Sequence, residues 1–280
     1  MLWNDKLRQA IQDSRSLLCI GLDPDPAKIP THLMEKGDPV FQFNRAVIDA
    51  TADFAAAFKP NLAFYEALGS EGLDVLRRTV AYIPSGRMVI GDAKRGDIGS
   101  TSERYARALI DLGFDSFTVN PFLGEDSVRP FIGDPSKGAF MLCLTSNPGS
   151  RDFQQLRVDD EPLYLHIARA VARWNDRGNC GLVVGATHPD ELAAVRGAAI
   201  DLPFLIPGIG AQGGDLESTI MAGTDAFGGL AFINASRSIL YASAGEDFAR
   251  AARLEAERLN GEINRFRKQK TSRNTSGTIG

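Results

Sequence analysis

Histidine and cysteine are scarce, with three of each in 280 residues. Cys19, Cys143 and Cys180 lie far apart, each in or beside an apolar run, so neither a zinc site nor a disulfide framework is indicated. They read as buried thiols. His32, His166 and His188 lack metal-ligand spacing and read as structural or solvated side chains. No stretch approaches the roughly 18 consecutive apolar residues of a membrane helix, and Met1-Leu2-Trp3-Asn4-Asp5 lacks the basic-then-apolar order of a secretory signal. A cytoplasmic protein is therefore expected. Positive charge is not in excess either: the net charge of −4 gives no general attraction to nucleic acid or anionic membrane. The one basic cluster, Arg265-Phe266-Arg267-Lys268-Gln269-Lys270, reads as a solvated helix end. No Gly-Lys-Ser/Thr phosphate loop and no Ser–His–acid arrangement is present.

What the chain does have is a hydrophobic content of 44% with 24% charged residues, the balance of a globular enzyme. Short apolar runs recur, each followed by a helix-like segment, which is the pattern of repeated βα units with parallel strands. The runs are Leu17-Leu22, Ala57-Pro60, Met88-Asp92, Ser116-Asn120, Ala139-Leu144, Gly181-Gly185, Phe204-Pro207 and Leu230-Asn234. Eight such units in a chain that needs about 250 residues to close predict a single α/β domain, a (β/α)8 barrel over residues 1–267. Helices are expected at 39–56, 62–81, 102–112, 125–131, 162–175, 189–195, 216–222 and 245–265, with a further one at 5–13 covering the barrel's bottom. Residues 268–280 read as a polar tail without order. The longest irregular intervals, Asp23-Asp38 and Asn147-Glu161, are of the length that often carries function.

In a closed parallel barrel, reacting groups collect where the strands end. Those ends are unusually polar here: Asp23 after strand one, Lys59 in strand two, Asp92-Ala93-Lys94-Arg95-Gly96-Asp97 at strand three, Thr145-Ser146-Asn147 after strand five. Period-two alternation sends Asp92 and Lys94 to the face of Ile90, the barrel interior, where opposite charges need each other. Lys59 on the neighbouring strand makes a third member. Asp-x-Lys-x-x-Asp alone is not decisive, since chance supplies it in roughly one chain of this length in twenty, and an ion-pair network that merely closes the barrel top is the alternative. A second element lies after strands seven and eight, in Pro207-Gly208-Ile209-Gly210-Ala211-Gln212-Gly213-Gly214 and Asn234-Ala235-Ser236-Arg237. Glycines let backbone N–H groups approach an anion, and an arginine grips phosphate with two bonds. Tight βα turns also use glycine, so the loop gains its meaning from Arg237 beside it. A small phosphorylated ligand is expected.

Taken together, these segments resemble the orotidine 5'-phosphate decarboxylase family, in its longer bacterial subgroup. Leu18-Cys19-Ile20-Gly21-Leu22-Asp23-Pro24-Asp25, Phe58-Lys59-Pro60-Asn61, Gly91-Asp92-Ala93-Lys94-Arg95-Gly96-Asp97-Ile98, Leu144-Thr145-Ser146-Asn147-Pro148-Gly149, Val184-Gly185-Ala186-Thr187 and the two phosphate-loop segments run in the family's order from strand one to strand eight. The resemblance implies decarboxylation of orotidine 5'-monophosphate to uridine 5'-monophosphate, the last step of pyrimidine synthesis de novo, with no metal and no organic cofactor. It implies a catalytic array of Lys59, Asp92, Lys94 and Asp97, the last supplied by the partner subunit of a homodimer. It further implies that Gln212 and Arg237 hold the phosphate, Ser146 the pyrimidine, Asp23 and Lys59 the ribose, and Thr101 the ribose from the partner chain. Barrels with the same Asp-x-Lys-x-x-Asp strand, such as hexulose-phosphate synthases and keto-gulonate-phosphate decarboxylases, use a divalent metal instead. A lysine at position 59 favours the metal-free array over them. A binder that kept the phosphate cradle and lost the chemistry would have no need of so costly a charge cluster.

Overall fold

The computed structural model describes residues 1–35, 37–187, 189–209 and 215–276. Eight parallel strands close into a barrel: β1 (Leu18–Leu22), β2 (Ala57–Pro60), β3 (Met88–Arg95), β4 (Ser116–Val119), β5 (Gly138–Leu144), β6 (Cys180–Val184), β7 (Phe204–Ile206) and β8 (Ala231–Ala235). Each strand pairs with its neighbours in chain order, and β8 returns to β1 with Leu18 opposite Ile233 and Cys19 opposite Asn234. The strands are short apolar runs because both of their faces are covered, by the packed interior on one side and by helices on the other. Phe140 and Phe232 meet edge to face inside the barrel at 6.3 Å between ring centroids. All eight strands expected from the sequence are present, and the three cysteines are buried and unpaired.

The N-terminal helix, Trp3–Ser14, closes the bottom of the barrel. Trp3 is completely buried, and its indole fills the space that a Cβ on Gly138 would need, 2.2 Å from the ideal position of that atom. It also packs edge-on against Phe140 at 5.4 Å. Lys6 of the same helix pairs with Asp115, whose other carboxylate oxygen accepts the Val89 N–H at 2.8 Å. These contacts tie the helix to the lower ends of β3, β4 and β5 and leave the opposite end for the site.

Three local departures from the sequence expectation have identifiable causes. The helix expected over 62–81 is two, Leu62–Glu66 and Gly69–Tyr82. Gly69 takes a left-handed φ of 67°, and Gly72 approaches the Tyr65 carbonyl so closely that any Cβ would sit 1.9 Å from its oxygen. At the C-terminus, the helix expected to stop near Arg265 continues from Phe248 to Ser276, through the start of the segment read as an unordered tail. Two of its cations have backbone acceptors: Lys270 donates to the carbonyls of Met221 and Thr224, each at 2.8 Å, and Arg267 to that of Gly228 at 2.7 Å. The helix Leu216–Gly223 ends at the Met221 and Thr224 carbonyls, where positive charge is favoured. The polar composition concealed these bonds; residues 277–280 lie outside the described residues. Finally, the interval Asn147–Glu161 is structured, with a turn of helix at Ser150–Phe153 and a small antiparallel pair, Arg157–Val158 with Glu161–Pro162. No helix among the described residues is long and apolar enough to cross a membrane.

Candidate active site

A cavity of about 330 Å³ opens at the carboxyl ends of the strands. Its floor is apolar on one side, where Leu142, Val183 and Leu205 project from β5, β6 and β7, and charged on the other. On the charged side, Lys59 and Asp92 come from adjacent strands, and β2 is set so that Lys59 stands opposite Gly21 of β1. Lys59 Nζ donates to Asp92 Oδ2 at 2.7 Å, and Lys94 Nζ to Asp92 Oδ1 at 2.5 Å. The side chains of Lys59 and Asp92 are 5% and 10% exposed, whereas that of Lys94 is 50% exposed and reaches the pair from the cavity mouth. Burial would raise the Asp92 carboxyl, but the two ammonium groups outweigh it and hold the group well below the ordinary carboxylate range. Burial likewise works against the Lys59 ammonium, and Asp92, with Asp23 next, overcomes it and carries the group above the ordinary lysine value. Beneath them the Cys19 thiol is pushed up to about 12, chiefly by burial, and is neutral at physiological pH.

Regular alternation along β3 delivers Asp92 to the interior but does not extend to Lys94. The pairing of β3 with β4 shifts between Gly91 and Arg95, and Lys94 adopts a left-handed φ of 47°. That bulge, rather than the pleat, turns Lys94 toward Asp92. The remaining cavity residues come from strand ends. The Asp23 segment is fastened by Tyr241, whose hydroxyl donates to the Asp23 carbonyl and accepts the Asp25 N–H, both at 2.8 Å. Ser146 lies in a loop clamped by Gln154, which accepts the Thr145 N–H at 2.8 Å and donates to Thr145 Oγ1 at 2.9 Å. Arg237 opens the single helical turn Arg237–Leu240 after β8. The preceding Ser236 hydroxyl sits 1.7 Å from where a Cβ on Gly21 would be, so only glycine at 21 lets β8 end this way.

Of the residues expected from the sequence, Asp23, Lys59, Asp92, Lys94, Ser146 and Arg237 therefore line one cavity. Asp97 and Thr101 do not line it. Asp97 accepts the Ile98 N–H at 2.8 Å, and Thr101 is exposed on the helix Gly99–Asp111. Gln212 and most of the glycine-rich loop lie outside the described residues, as does His188. Among the polar residues in the lining, Asn61, Thr118 and Asn234 on or just after their strands were given no role from the sequence. Asn234 is buried, with its Oδ1 lacking a hydrogen-bond partner among the described residues, as is Asp23 Oδ1. Their inward direction follows from the period of two that placed Asp92, which was the one signal available for them. No group of three His, Cys, Asp or Glu side chains that could hold a metal occurs among the described residues.

A parallel eight-stranded barrel whose upper cavity is lined by a Lys-Asp-Lys cluster and an arginine is the architecture of a barrel enzyme acting on a small anionic substrate. Comparison with known proteins narrows that class. The chain belongs to the orotidine 5'-phosphate decarboxylase / HUMPS family, whose model matches residues 16–252. It is 52% identical over 259 residues to an orotidine 5'-phosphate decarboxylase of Herpetosiphon aurantiacus, covering 91% of this chain and 96% of the relative. An Azoarcus protein of the same name is 52% identical over 266 residues, covering 93% and 98%. The solved structure of Leishmania donovani OMP decarboxylase superposes with a TM-score of 0.84 at 40% identity, covering 95% of this chain and 99% of that one.

Proposed function

We propose that this protein decarboxylates orotidine 5'-monophosphate to uridine 5'-monophosphate, in the cytoplasm and without a cofactor. The observation that carries the reading is the Lys59–Asp92–Lys94 cluster at the charged side of the cavity. In the reaction the bond between C6 and the carboxylate carbon breaks, carbon dioxide leaves, and the electron pair stays on C6. Ring resonance cannot absorb that pair, so the site must supply positive charge already in position and then a proton. Lys94 supplies both: its ammonium stands beside the developing carbanion and transfers a proton to C6, to be replaced from solvent. Asp92 beside the substrate carboxylate is a like-charge contact of up to about 4 kcal/mol at 4 Å and an effective dielectric of 20, relieved as neutral carbon dioxide departs. Arg237, with Gln212, takes the phosphate, Asp23 and Lys59 the ribose, and Ser146 the pyrimidine. Phosphate binding remote from C6 can then contribute energy to the chemical step.

Asp97 and Thr101 enter the site from the partner subunit of a homodimer. Supporting this, Ile98 and Phe122, on the segments that follow β3 and β4, are 60% and 77% exposed, with Leu123 and Tyr105 also at the surface. Apolar side chains of that size beside a proposed catalytic carboxylate suit a face covered by another copy.

The decisive assay is turnover of orotidine 5'-monophosphate by purified protein in excess EDTA, followed by carbon dioxide release and the ultraviolet change of the pyrimidine. Sustained turnover is expected. Inactivity under chelation with recovery on adding Mg2+ would instead indicate the metal-dependent chemistry of related barrels. Lys59 argues against that chemistry, since its ammonium already holds the Asp92 oxygen a cation would take.

A further inference from the structure

Strand β4 meets the bulge of β3 at a single residue. Gly91 pairs with Phe117 and Arg95 with Val119, so residues 92 to 94 of β3 face Thr118 alone. A bulge of this kind leaves backbone groups without ladder partners, and a buried N–H left unpaired is costly. Thr118, which is 1% exposed, supplies the missing partner through its side chain: its Oγ1 accepts the Lys94 N–H at 2.9 Å. The same oxygen lies 3.0 Å from Asp92 Oδ1. A hydroxyl has one proton, and since this one accepts from the amide, its own proton is directed to the carboxylate. Asp92 Oδ1 therefore receives Thr118 and Lys94 Nζ, while Oδ2 receives Lys59 Nζ.

We infer that Thr118 is a positioning residue for the reaction, a single hydroxyl that fixes both the Asp92 carboxylate and the left-handed backbone of Lys94. The inference deepens the decarboxylase reading and rests on it for the roles of Asp92 and Lys94. Neither group is held by its lysine contacts alone. Lys94 Nζ is on a half-exposed, flexible stem, so its bond to Asp92 Oδ1 can be given up when substrate enters or when the proton is transferred. The Thr118 bond comes from a β-branched side chain on a strand, stiff at χ1 and out of solvent. It keeps Oδ1 aimed into the cavity at the moment Lys94 is engaged elsewhere. Its grip on the Lys94 amide also supports a φ of 47°, which an L-residue adopts only at a cost in energy.

The test compares Thr118→Val, which keeps the shape and removes the hydroxyl, with Thr118→Ser, which keeps the hydroxyl. For each, kcat and KM for orotidine 5'-monophosphate, the Kd for uridine 5'-monophosphate, and hydrogen exchange at the Lys94 amide are measured. Loss of a bond to a charged group predicts a kcat lower by about tenfold or more in Thr118→Val, with KM and product Kd within about threefold of the parent. Thr118→Ser is expected within about threefold of the parent in kcat, and only the valine variant should lose protection at the Lys94 amide. A serine variant as slow as the valine one, or a loss carried by KM with kcat intact, would overturn the inference. Should the valine variant not fold, Thr118→Ala takes its place with the same expectations. Should the parent protein not turn over this nucleotide at all, the decarboxylase reading falls. The exchange measurement still decides the positioning role, and unchanged protection at Lys94 in Thr118→Val refutes it.

Discussion

Replacing Asp92 by asparagine isolates the electrostatics of the array, because it preserves shape and removes one charge from between two ammonium groups. Lys59 is the group left exposed to the consequence. Its Nζ is 2.7 Å from Asp92 Oδ2 on a side chain only 5% accessible, and Asp92 is its one hydrogen-bond acceptor among the described residues. At an effective dielectric of 20 and about 4 Å, the lost attraction is about 4 kcal/mol. Removing one partner of a buried pair typically costs about 3–5 kcal/mol because the other charge stays behind. An asparagine oxygen still accepts one bond, which puts the expected loss of stability near 3 kcal/mol. The pH dependence follows from the two displacements. Asp92 lies below its ordinary value of 3.8 in the fold, so its contribution is complete above that value and lost as pH falls through the depressed one. Lys59 lies above its ordinary 10.5, so its contribution is complete below that value and lost as pH rises through the elevated one. Urea unfolding of the parent and of Asp92→Asn should accordingly differ by a constant amount between about pH 5 and 9 and converge in acid. Equal midpoints at pH 7, or a difference that widens below pH 4, would refute the assignment of Asp92 as the ionised centre of the cluster.

Three further outcomes test other parts of the site. Lys94→Ala should abolish turnover while uridine 5'-monophosphate still binds, as followed by calorimetry; near-normal turnover would remove Lys94 as the proton donor. Arg237→Ala should weaken phosphorylated nucleotides by about ten- to a hundredfold, the worth of a charge-assisted bidentate contact, with the unphosphorylated nucleoside unaffected. An equal loss for both ligands would contradict the phosphate role. If Asp97 acts across a dimer, mixing inactive Lys94→Ala with inactive Asp97→Ala restores activity. Each mixed dimer then holds one site with Lys94 and the partner's Asp97 both intact, and random exchange regenerates about a quarter of the sites. No recovery after subunit exchange, with mixed dimers confirmed by mass, would place Asp97 within its own subunit or outside the chemistry.

Much of this was legible in the sequence because barrel strands are local. Eight apolar runs separated by helix-like intervals name their own order, and parallel pairing of consecutive units does the rest. Asp92, Lys59 and Asp23 were reachable because strand ends point at one cavity and a pleat has a fixed period. Lys94 was found for a partly mistaken reason. Alternation would have placed it beside Asp92 on an unbroken strand, whereas a bulge and a left-handed turn bring it there. A bulge depends on what the neighbouring strand offers, and here that is the hydroxyl of Thr118, 24 residues away. No spacing rule within β3 contains it. Gly72 and Gly21 were opaque for a similar reason, since each is required by an atom brought close only by the fold, the Tyr65 carbonyl and the Ser236 hydroxyl.

Two buried cations in this protein show why burial of charge does not by itself mark chemistry. Arg196 is 8% exposed, stacks over the Phe204 ring at 3.5 Å, and has no carboxylate among its hydrogen-bond partners in the described residues. Its donors are taken up by the carbonyls of Gly223, Leu202, Leu230, Ala199 and Ile200, which tie the ends of two helices to β7 and β8. Burial pulls its pKa down to about 10, and the arginine remains charged at neutral pH, locked in a net of backbone oxygens. Lys59 is buried to a similar degree, but its partner is an ionised side chain that borders a cavity and shares its other oxygen with a half-exposed lysine. The carbonyl net is not part of that cavity's lining, and its fixed backbone oxygens have nothing to exchange. The carboxylate pair can trade one of its bonds for a bond to a substrate, and that capacity separates the site from the scaffold.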